Sequence, residues 1–372
     1  MRVMIAAGGT GGHINPALSA AQELKSRYPE AQILFVGTAD RMEAQLVPKS
    51  GFDFATISIS GFQRSFAPED ILHNLKTLKQ LLFVTAQCKK IIREFSPELV
   101  VGFGGYVSGP VVRTAHRMGI KTAIHEQNAF PGKTNIILSK YADRVMLTAA
   151  AAQKYMKCRE KPVVTGLPVR EEILTADKAL SRRRLGFPDN KKVVLSTGGS
   201  LGADSVNKVM CEVIPEFINK DVIFVHGYGQ NGKWMPEKLR EKGVNPDSAP
   251  DIHISEYIYN MAEYMSAADL VISRAGASTL AEIQALGKAS LLIPSPYVSE
   301  NHQYHNAMAL VNENAAMVIE QKQLSADKVS DIIRQLMDTP EKFEVIGANA
   351  RAMAVCDAKK KICDILVSLL QN

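Results

Sequence analysis

Several things are scarce in this chain, and each scarcity removes a class of protein. No apolar run approaches the roughly 18 residues that cross a bilayer. The 5 cysteines (Cys88, Cys158, Cys211, Cys356, Cys363) form no CxxC pair and no Cys/His cluster, so neither a structural zinc nor a disulfide framework is expected. An odd, scattered set suits a reducing cytosol. Charge of one sign does not dominate: 44 Lys and Arg stand against 38 Asp and Glu, a net of +6. That surplus suits an anionic ligand or membrane surface but is too small to argue for nucleic acid. The 25 Gly and 17 Pro follow no period, which excludes collagen-like and low-complexity architecture.

With 46% hydrophobic and 22% charged residues, the chain is apolar enough to bury a core and offset its conformational entropy. At 372 residues the expectation is two domains. The opening Met1-Arg2-Val3-Met4-Ile5-Ala6-Ala7-Gly8-Gly9 is too short for a signal h-region and runs into glycines. It therefore predicts a first β-strand in a cytoplasmic protein that can still sit on a membrane.

Short apolar runs alternate with amphipathic stretches. Predicted strands are Val3–Ala7, Ile33–Val36, Leu99–Phe103, Thr122–His125, Arg144–Leu147 and Val163–Thr165, then Val193–Thr197, Val222–His226, Ile252–Ser255, Leu270–Ser273 and Ser290–Ile293. Segments such as Pro16–Tyr28 and Ser205–Phe217 have helical apolar spacing. The alternation predicts βαβ units and parallel sheets covered on both faces. One pattern occurs twice, almost half a chain apart: strand, glycine loop, helix, at Gly8-Gly9-Thr10-Gly11-Gly12-His13 and at Gly198-Gly199-Ser200-Leu201-Gly202-Ala203. Two Rossmann-like halves follow: an N-terminal domain over 1–165 and a C-terminal domain over 166–344, meeting near Thr165-Gly166-Leu167-Pro168. A last helix over about 345–372 is free to pack back.

Glycine loops that precede helices bring backbone N–H groups to an anion. Gly8–Gly12, Gly102–Gly105, Gly198–Gly202 and the helix start at Arg274-Ala275-Gly276-Ala277-Ser278-Thr279 all fit, although any one of them is equally a tight strand–helix turn. Converging, such ends hold a diphosphate without a metal. A dinucleotide fingerprint fails because Ile14 stands where its last glycine belongs. Two P-loop patterns also fail: Gln127 replaces the first glycine before Gly132-Lys133-Thr134, and Trp234 follows Lys233 where a hydroxyl is required.

His13, directly after the first loop, is either a general base for a hydroxyl nucleophile or a packing histidine at a helix start. His125-Glu126-Gln127-Asn128 at a strand's end suggests a ligand crevice or loop hydrogen bonding. Glu282, two turns into the helix Ala277–Leu286, is placed for a ribose diol, and Arg170 for phosphate; either is equally a surface charge. His302 and His305 lack acidic partners at helical spacing, so no metal is expected. Segment Gly61–Phe95 mixes basic with bulky apolar residues and reads as an interfacial helix or a core-facing amphipathic one.

In one order, the chain carries Gly8–His13, Gly104-Gly105-Tyr106-Val107-Ser108-Gly109-Pro110, His125–Asn128, Gly198–Ala203 and Ala277-Ser278-Thr279-Leu280-Ala281-Glu282. Over nearly its whole length it closely resembles the MurG family of peptidoglycan N-acetylglucosaminyltransferases. The resemblance implies an α/β GT-B architecture, two Rossmann-like parallel-sheet domains facing across a cleft. It implies inverting, metal-independent transfer of GlcNAc from UDP-GlcNAc to the MurNAc 4-hydroxyl of lipid I, with no cofactor, at the cytoplasmic face of an anionic membrane. Cell-division or wall-assembly proteins are implied as partners, and nucleic acid is not.

Carried over by position, donor contacts are Thr10, Gly11, Gly12, Asn128, Arg170, Ser200, Ile258, Ala277, Ser278, Thr279, Leu280, Ala281, Glu282 and Gln303. Acceptor contacts are Gly104, Gly105, Tyr106, Ser108, Gly109 and Glu126. His13 is the candidate base, with a water or Glu126 as alternatives. Leu167 stands where the family usually has Asn. Competing functions are a UDP-GlcNAc 2-epimerase, a non-catalytic nucleotide-sugar binder and a nicotinamide enzyme.

Overall fold

A computed structural model describes residues 1–59 and 83–371. They divide into two compact units, Met1–Pro168 with Asp357–Asn372, and Val169–Cys356. The division falls three residues beyond the one read from the sequence, because Leu167 and Val169 are both buried and no exposed linker marks the spot.

The first unit's strands are β1 (Arg2–Ala7), β2 (Gln32–Gly37), β3 (Asp53–Thr56), β4 (Leu99–Gly104), β5 (Lys121–Glu126), β6 (Arg144–Leu147) and β7 (Val163–Val164). They form one parallel sheet in the order β3-β2-β1-β4-β5-β6-β7. Strand β3 escaped the sequence reading because Asp53 and Thr56 interrupt its apolar character at the sheet edge. Alternation within β1 sends Val3, Ile5 and Ala7 to one face, and Met4 and Ala6 to the other. The first face is covered by the helix Gly11–Arg27 through Ile14, Ala17, Leu18, Ala21 and Leu24. The helix Ala358–Gln371 lies on the same face and buries Ile362, Cys363, Leu366 and Leu369. Each fully buried Leu or Ile contributes about 1.5–3 kcal/mol.

The other face carries the helix Gly105–Arg117 and residues 83–95, also helical, whose Val84, Cys88 and Ile92 recur every turn on the buried side. Lys89, Lys90 and Arg93 of that stretch are exposed. The rest of the basic–apolar segment that was read for a membrane surface lies outside the described residues.

The second unit has β8 (Lys192–Thr197), β9 (Val222–Gly227), β10 (Ile252–Ser255), β11 (Leu270–Ser273), β12 (Ala289–Leu292) and β13 (Met317–Val318). Their order is β10-β9-β8-β11-β12-β13, again parallel throughout. The two-residue β13 is too short to register as a periodic pattern. Helix Pro340–Ala352 belongs to this unit, packing Phe343 into its core. The returning segment therefore starts at Asp357, later than the 345 read from the sequence.

In both sheets the chain order reverses beside the first strand of the unit, between β1 and β4 and between β8 and β11. Such switch points are where open parallel sheets take ligands, at the carboxyl ends of the strands. No helix among the described residues is long and apolar enough to cross a membrane.

Candidate active site

At the first switch point, Gly8 and Gly9 follow the end of β1, and β4 ends at Gly104 with Gly105 opening the next helix. The two loops touch backbone to backbone. A β-carbon on Gly105, whose φ is +76°, would stand 2.4 Å from the Gly8 carbonyl oxygen, so only glycine fits. Gly109 lies in the helix that follows, and the Tyr106 ring lies beside Gly9.

Thr10, Gly11 and Gly12 open the helix Gly11–Arg27, and no side chain caps its first amides. His13, half-buried, donates from Nδ1 to the Gly8 carbonyl (3.1 Å), with the Thr10 hydroxyl 3.3 Å from the same nitrogen. A carbonyl only accepts, so Nδ1 carries the hydrogen and Nε2 is the basic nitrogen of the neutral ring.

Two acceptor-side residues read from the sequence turn inward instead. The Ser108 hydroxyl is fully buried, receiving the Gly104 amide (3.0 Å) and reaching the carbonyls of Gly104 (2.7 Å) and Ala6 (2.9 Å). It therefore shapes the Gly104 loop and has no surface to offer a substrate. Glu126 is 2% exposed, and its two oxygens accept four N–H groups: the amide and side chain of Asn128, the Gly132 amide and the Asn135 side chain. Burial pushes its carboxyl up, and those bonds oppose the shift. A carboxylate so engaged is a loop clamp, which corrects its reading as an alternative proton acceptor. It brings Asn128 to the carboxyl end of β5.

Sequence reasoning gave Glu43 no role, since its bond to Gly9 spans 34 residues and only the fold brings the two together. Its fully buried carboxylate accepts the Gly9 amide (3.1 Å) and the Thr38 amide and hydroxyl (3.1 and 2.9 Å). Gly8 and Gly37 leave it room: β-carbons there would stand 2.6 Å from its Oε1 and 2.5 Å from its Cγ. A depression beside this clamp is lined by Gly9, Asp40, Arg41, Met42 and Gln45.

At the second switch point, Ser200 is exposed on the loop after β8. That loop is buttressed by the segment read as a near-miss P-loop, whose Gln230 and Asn231 amides donate to the carbonyls of Ser200 (3.2 Å) and Leu201 (3.0 Å). Those amides are thus unavailable to a phosphate. Beneath, His226 bridges Ser196 (2.6 Å) and Asn207 (3.1 Å), and Asn207 donates to the Tyr228 carbonyl (2.8 Å). Burial drives this imidazole down to about 3.

The helix Ala277–Leu286 follows β11, its first amides uncapped by any side chain, with Ser278 exposed and Ala277 and Thr279 half-buried. Leu280 and Ala281 were read as donor contacts, but their side chains point into the core, at 5% and 8% exposure, and the Leu280 amide is bonded to the Gly276 carbonyl. They position the helix. Glu282 Oε1 accepts from Arg170 Nε at 2.8 Å, joining two residues 112 apart in sequence. Burial raises the Glu282 carboxyl, and Arg170 opposes the rise. Arg170 itself is half-exposed at the start of the helix Glu171–Leu174. Ile258 packs against Gly227 at the end of β9, and Gln303 accepts the Ser295 amide (2.8 Å).

Family models of the glycosyltransferase family 28 N-terminal and C-terminal domains match residues 3–147 and 193–362. A relative from Acetivibrio thermocellus is 41% identical over 372 residues, covering 100% of this chain and 99% of its own. It is named UDP-N-acetylglucosamine--N-acetylmuramyl-(pentapeptide) pyrophosphoryl-undecaprenol N-acetylglucosamine transferase. Among solved structures, MurG of Acinetobacter baumannii matches with a TM-score of 0.81 at 27% identity over 99% of both chains. A UDP-GlcNAc 2-epimerase from Neisseria meningitidis, bound to UDP-GlcNAc, reaches a TM-score of 0.67 at 15% identity over 100% of both chains, a likeness of fold alone. Two parallel Rossmann-like sheets, glycine loops at both switch points and identity along the entire length have one reading: this chain is a glycosyltransferase of family 28 and belongs to the MurG family.

Proposed function

We propose that the protein transfers GlcNAc from UDP-GlcNAc to the MurNAc 4-hydroxyl of lipid I, releasing UDP and forming lipid II, with inversion at the anomeric carbon. The observation that carries the chemistry is the tautomer of His13: Nδ1 donates to the Gly8 carbonyl, which makes Nε2 the basic nitrogen of the ring. The second unit holds the donor. Glu282 accepts from the ribose diol, and the amides of Ala277, Ser278 and Thr279 face its diphosphate, with Ser200, Gln303 and Ile258 completing the contacts. Arg170 stabilises the diphosphate as it leaves. The first unit holds the acceptor through Gly104, Gly105, Tyr106 and Gly109, and contributes Thr10, Gly11, Gly12 and Asn128 to the donor. As the acceptor is lipid-bound, the protein works as a peripheral protein on the cytoplasmic face of the membrane.

The test is radiolabel transfer from UDP-GlcNAc to a short-chain lipid I analogue, with and without EDTA. Transfer undiminished by EDTA is expected. Strict dependence on magnesium would overturn the assignment of leaving-group stabilisation to Arg170 and helix amides. Conversion of UDP-GlcNAc to another sugar nucleotide without acceptor would replace the transferase reading with an epimerase.

A further inference from the structure

Beneath the second switch point lies a chain of polar groups whose hydrogens all point one way. Ser196 on β8, Asn207 one turn into the helix Asp204–Glu216 and His226 on β9 are each fully buried. The Tyr228 carbonyl accepts only, so it takes a hydrogen from Asn207 Nδ2 (2.8 Å) and fixes which end of that amide is nitrogen. Asn207 Oδ1 is then the acceptor, 3.1 Å from His226 Nε2, and that ring nitrogen carries the hydrogen. Burial keeps the ring neutral. Its Nδ1 is therefore bare and accepts from the Ser196 hydroxyl at 2.6 Å.

The chain ends where the glycine loop after β8 is braced. Asn207 Nδ2 uses the space that Gly232 leaves: a β-carbon there would stand 2.4 Å from it. The Tyr228 carbonyl closes on Gly202, whose φ is +80° and whose β-carbon would stand 2.1 Å from the oxygen. A β-carbon on Gly229 would likewise stand 2.1 Å from the Gly202 nitrogen. The Gln230 and Asn231 amides then hold the carbonyls of Ser200 and Leu201. Segment 228–231 and loop 198–202 are thus locked together, and Asn207 pins the segment to the sheet below.

We propose that His226 is a positioning residue for the donor diphosphate, acting through Asn207 and Tyr228 to set where Ser200 and its loop stand. The inference rests on the reading of Ser200 as a donor contact. The imidazole itself touches no substrate. Its part is orientation: with one donor and one acceptor nitrogen, it turns Asn207 so that the amide hydrogen meets the Tyr228 carbonyl. Were that amide reversed, two oxygens would face each other and the segment would back away from the loop. Hydrogen bonds passed along in one direction polarise one another, the more so in a site without water.

His226→Phe keeps the bulk of the ring and removes both nitrogens, leaving Asn207 Oδ1 and the Ser196 hydroxyl without partners. It is expected to raise KM for UDP-GlcNAc, and the calorimetric Kd of UDP alone, about tenfold. Turnover at saturating donor and KM for a lipid I analogue stay within about twofold. A merely structural role would instead shrink the active fraction, lowering kcat and leaving KM where it was. His226→Gln places an amide nitrogen where Nε2 was, restores the donor to Asn207 and brings KM back towards the wild-type value. A folded His226→Phe with unchanged KM and Kd overturns the proposal, as does a Gln variant as impaired as the Phe one. Should His226→Phe not fold, the wild-type protein decides: with 15N-labelled histidine at neutral pH, His226 is protonated on Nε2 and bare on Nδ1, and the opposite tautomer overturns the proposal. Wild-type protein that binds neither UDP nor UDP-GlcNAc overturns the donor reading and this inference with it. Normal donor binding that the Phe substitution leaves unaltered overturns the inference alone.

Discussion

The Gly9 amide donates to Glu43 Oε2 at 3.1 Å across 34 residues of sequence. Part of a loop whose glycines suggest an anion cradle is therefore already filled by a carboxylate of the chain itself, because a helix-start amide welcomes any negative oxygen. The clamp fixes where β1 hands over to the helix bearing His13, and it frees the later amides of the loop from having to hold the turn.

Removing that clamp has a thermodynamic signature. Glu43→Ala leaves the buried Thr38 donors and the part-buried Gly9 amide without an acceptor and is expected to cost on the order of 3 kcal/mol, given about 1–3 kcal/mol per orphaned group. Urea unfolding measures it; a loss under about 1 kcal/mol would mean that water replaces the carboxylate at no cost.

His13→Ala is expected to lower turnover by about 10²–10⁴-fold while leaving KM for UDP-GlcNAc nearly unchanged, as the ring belongs to the first unit, to which the proposed function assigns the acceptor. Steady-state kinetics with a lipid I analogue check this. Near-normal turnover would take the proton from some other group.

Under the proposed function Glu282 holds the ribose of the donor. Its replacement by Ala is expected to raise KM for UDP-GlcNAc about tenfold or more, the loss of a hydrogen bond to a charged group. Arg170→Ala is expected instead to lower turnover at saturating donor, since the proposed function gives the ribose to Glu282 and the leaving diphosphate to its partner Arg170, 2.8 Å away. Identical kinetic defects in the two variants would show that they act as one structural pair.

Acid stability follows from two buried imidazoles. Burial lowers His125 to about 4 and His226 to about 3 from 6.5. Between 6.5 and those values the unfolded chain binds protons that the folded chain does not, so stability is full above 6.5 and falls with pH. Each ring contributes a slope of about 1.4 kcal/mol per pH unit. Chemical denaturation at a series of pH values between 7 and 4 measures it, and His226→Gln should lose the slope of one histidine. A wild-type slope near zero would contradict the buried neutral rings.

The sheets were legible in the sequence because apolar runs such as Leu99–Phe103 and Val193–Thr197 are buried on both sides and bounded by glycine. Repetition of the glycine loops predicted the paired sheets, and the helix Ala277–Leu286 begins and ends where the sequence placed it. Side-chain direction was not legible. Ser108 and Glu126 sit among residues of ligand-binding character yet turn into the backbone, as a motif gives the identity of a residue and not the face it presents. Glu43, Asn207 and His226 gain their meaning from partners brought close only by the fold. The edge strand β3 was missed because Asp53 and Thr56 break its apolar run, and the edge strand β13 because two residues carry no periodicity.

The helix Ala358–Gln371 has a bearing on synthesis. Ile362, Leu366 and Leu369 complete the face of a sheet whose first strand begins at Arg2. While the chain emerges from the ribosome, that face stays open to water until the helix Ala358–Gln371 has left the exit tunnel. The intervening 188 residues of the second unit, Val169–Cys356, have their own sheet and are able to mature earlier. The portion translated first is thus the portion finished last, and a nascent chain stalled near its end would show a protease-resistant second half beside a sensitive first.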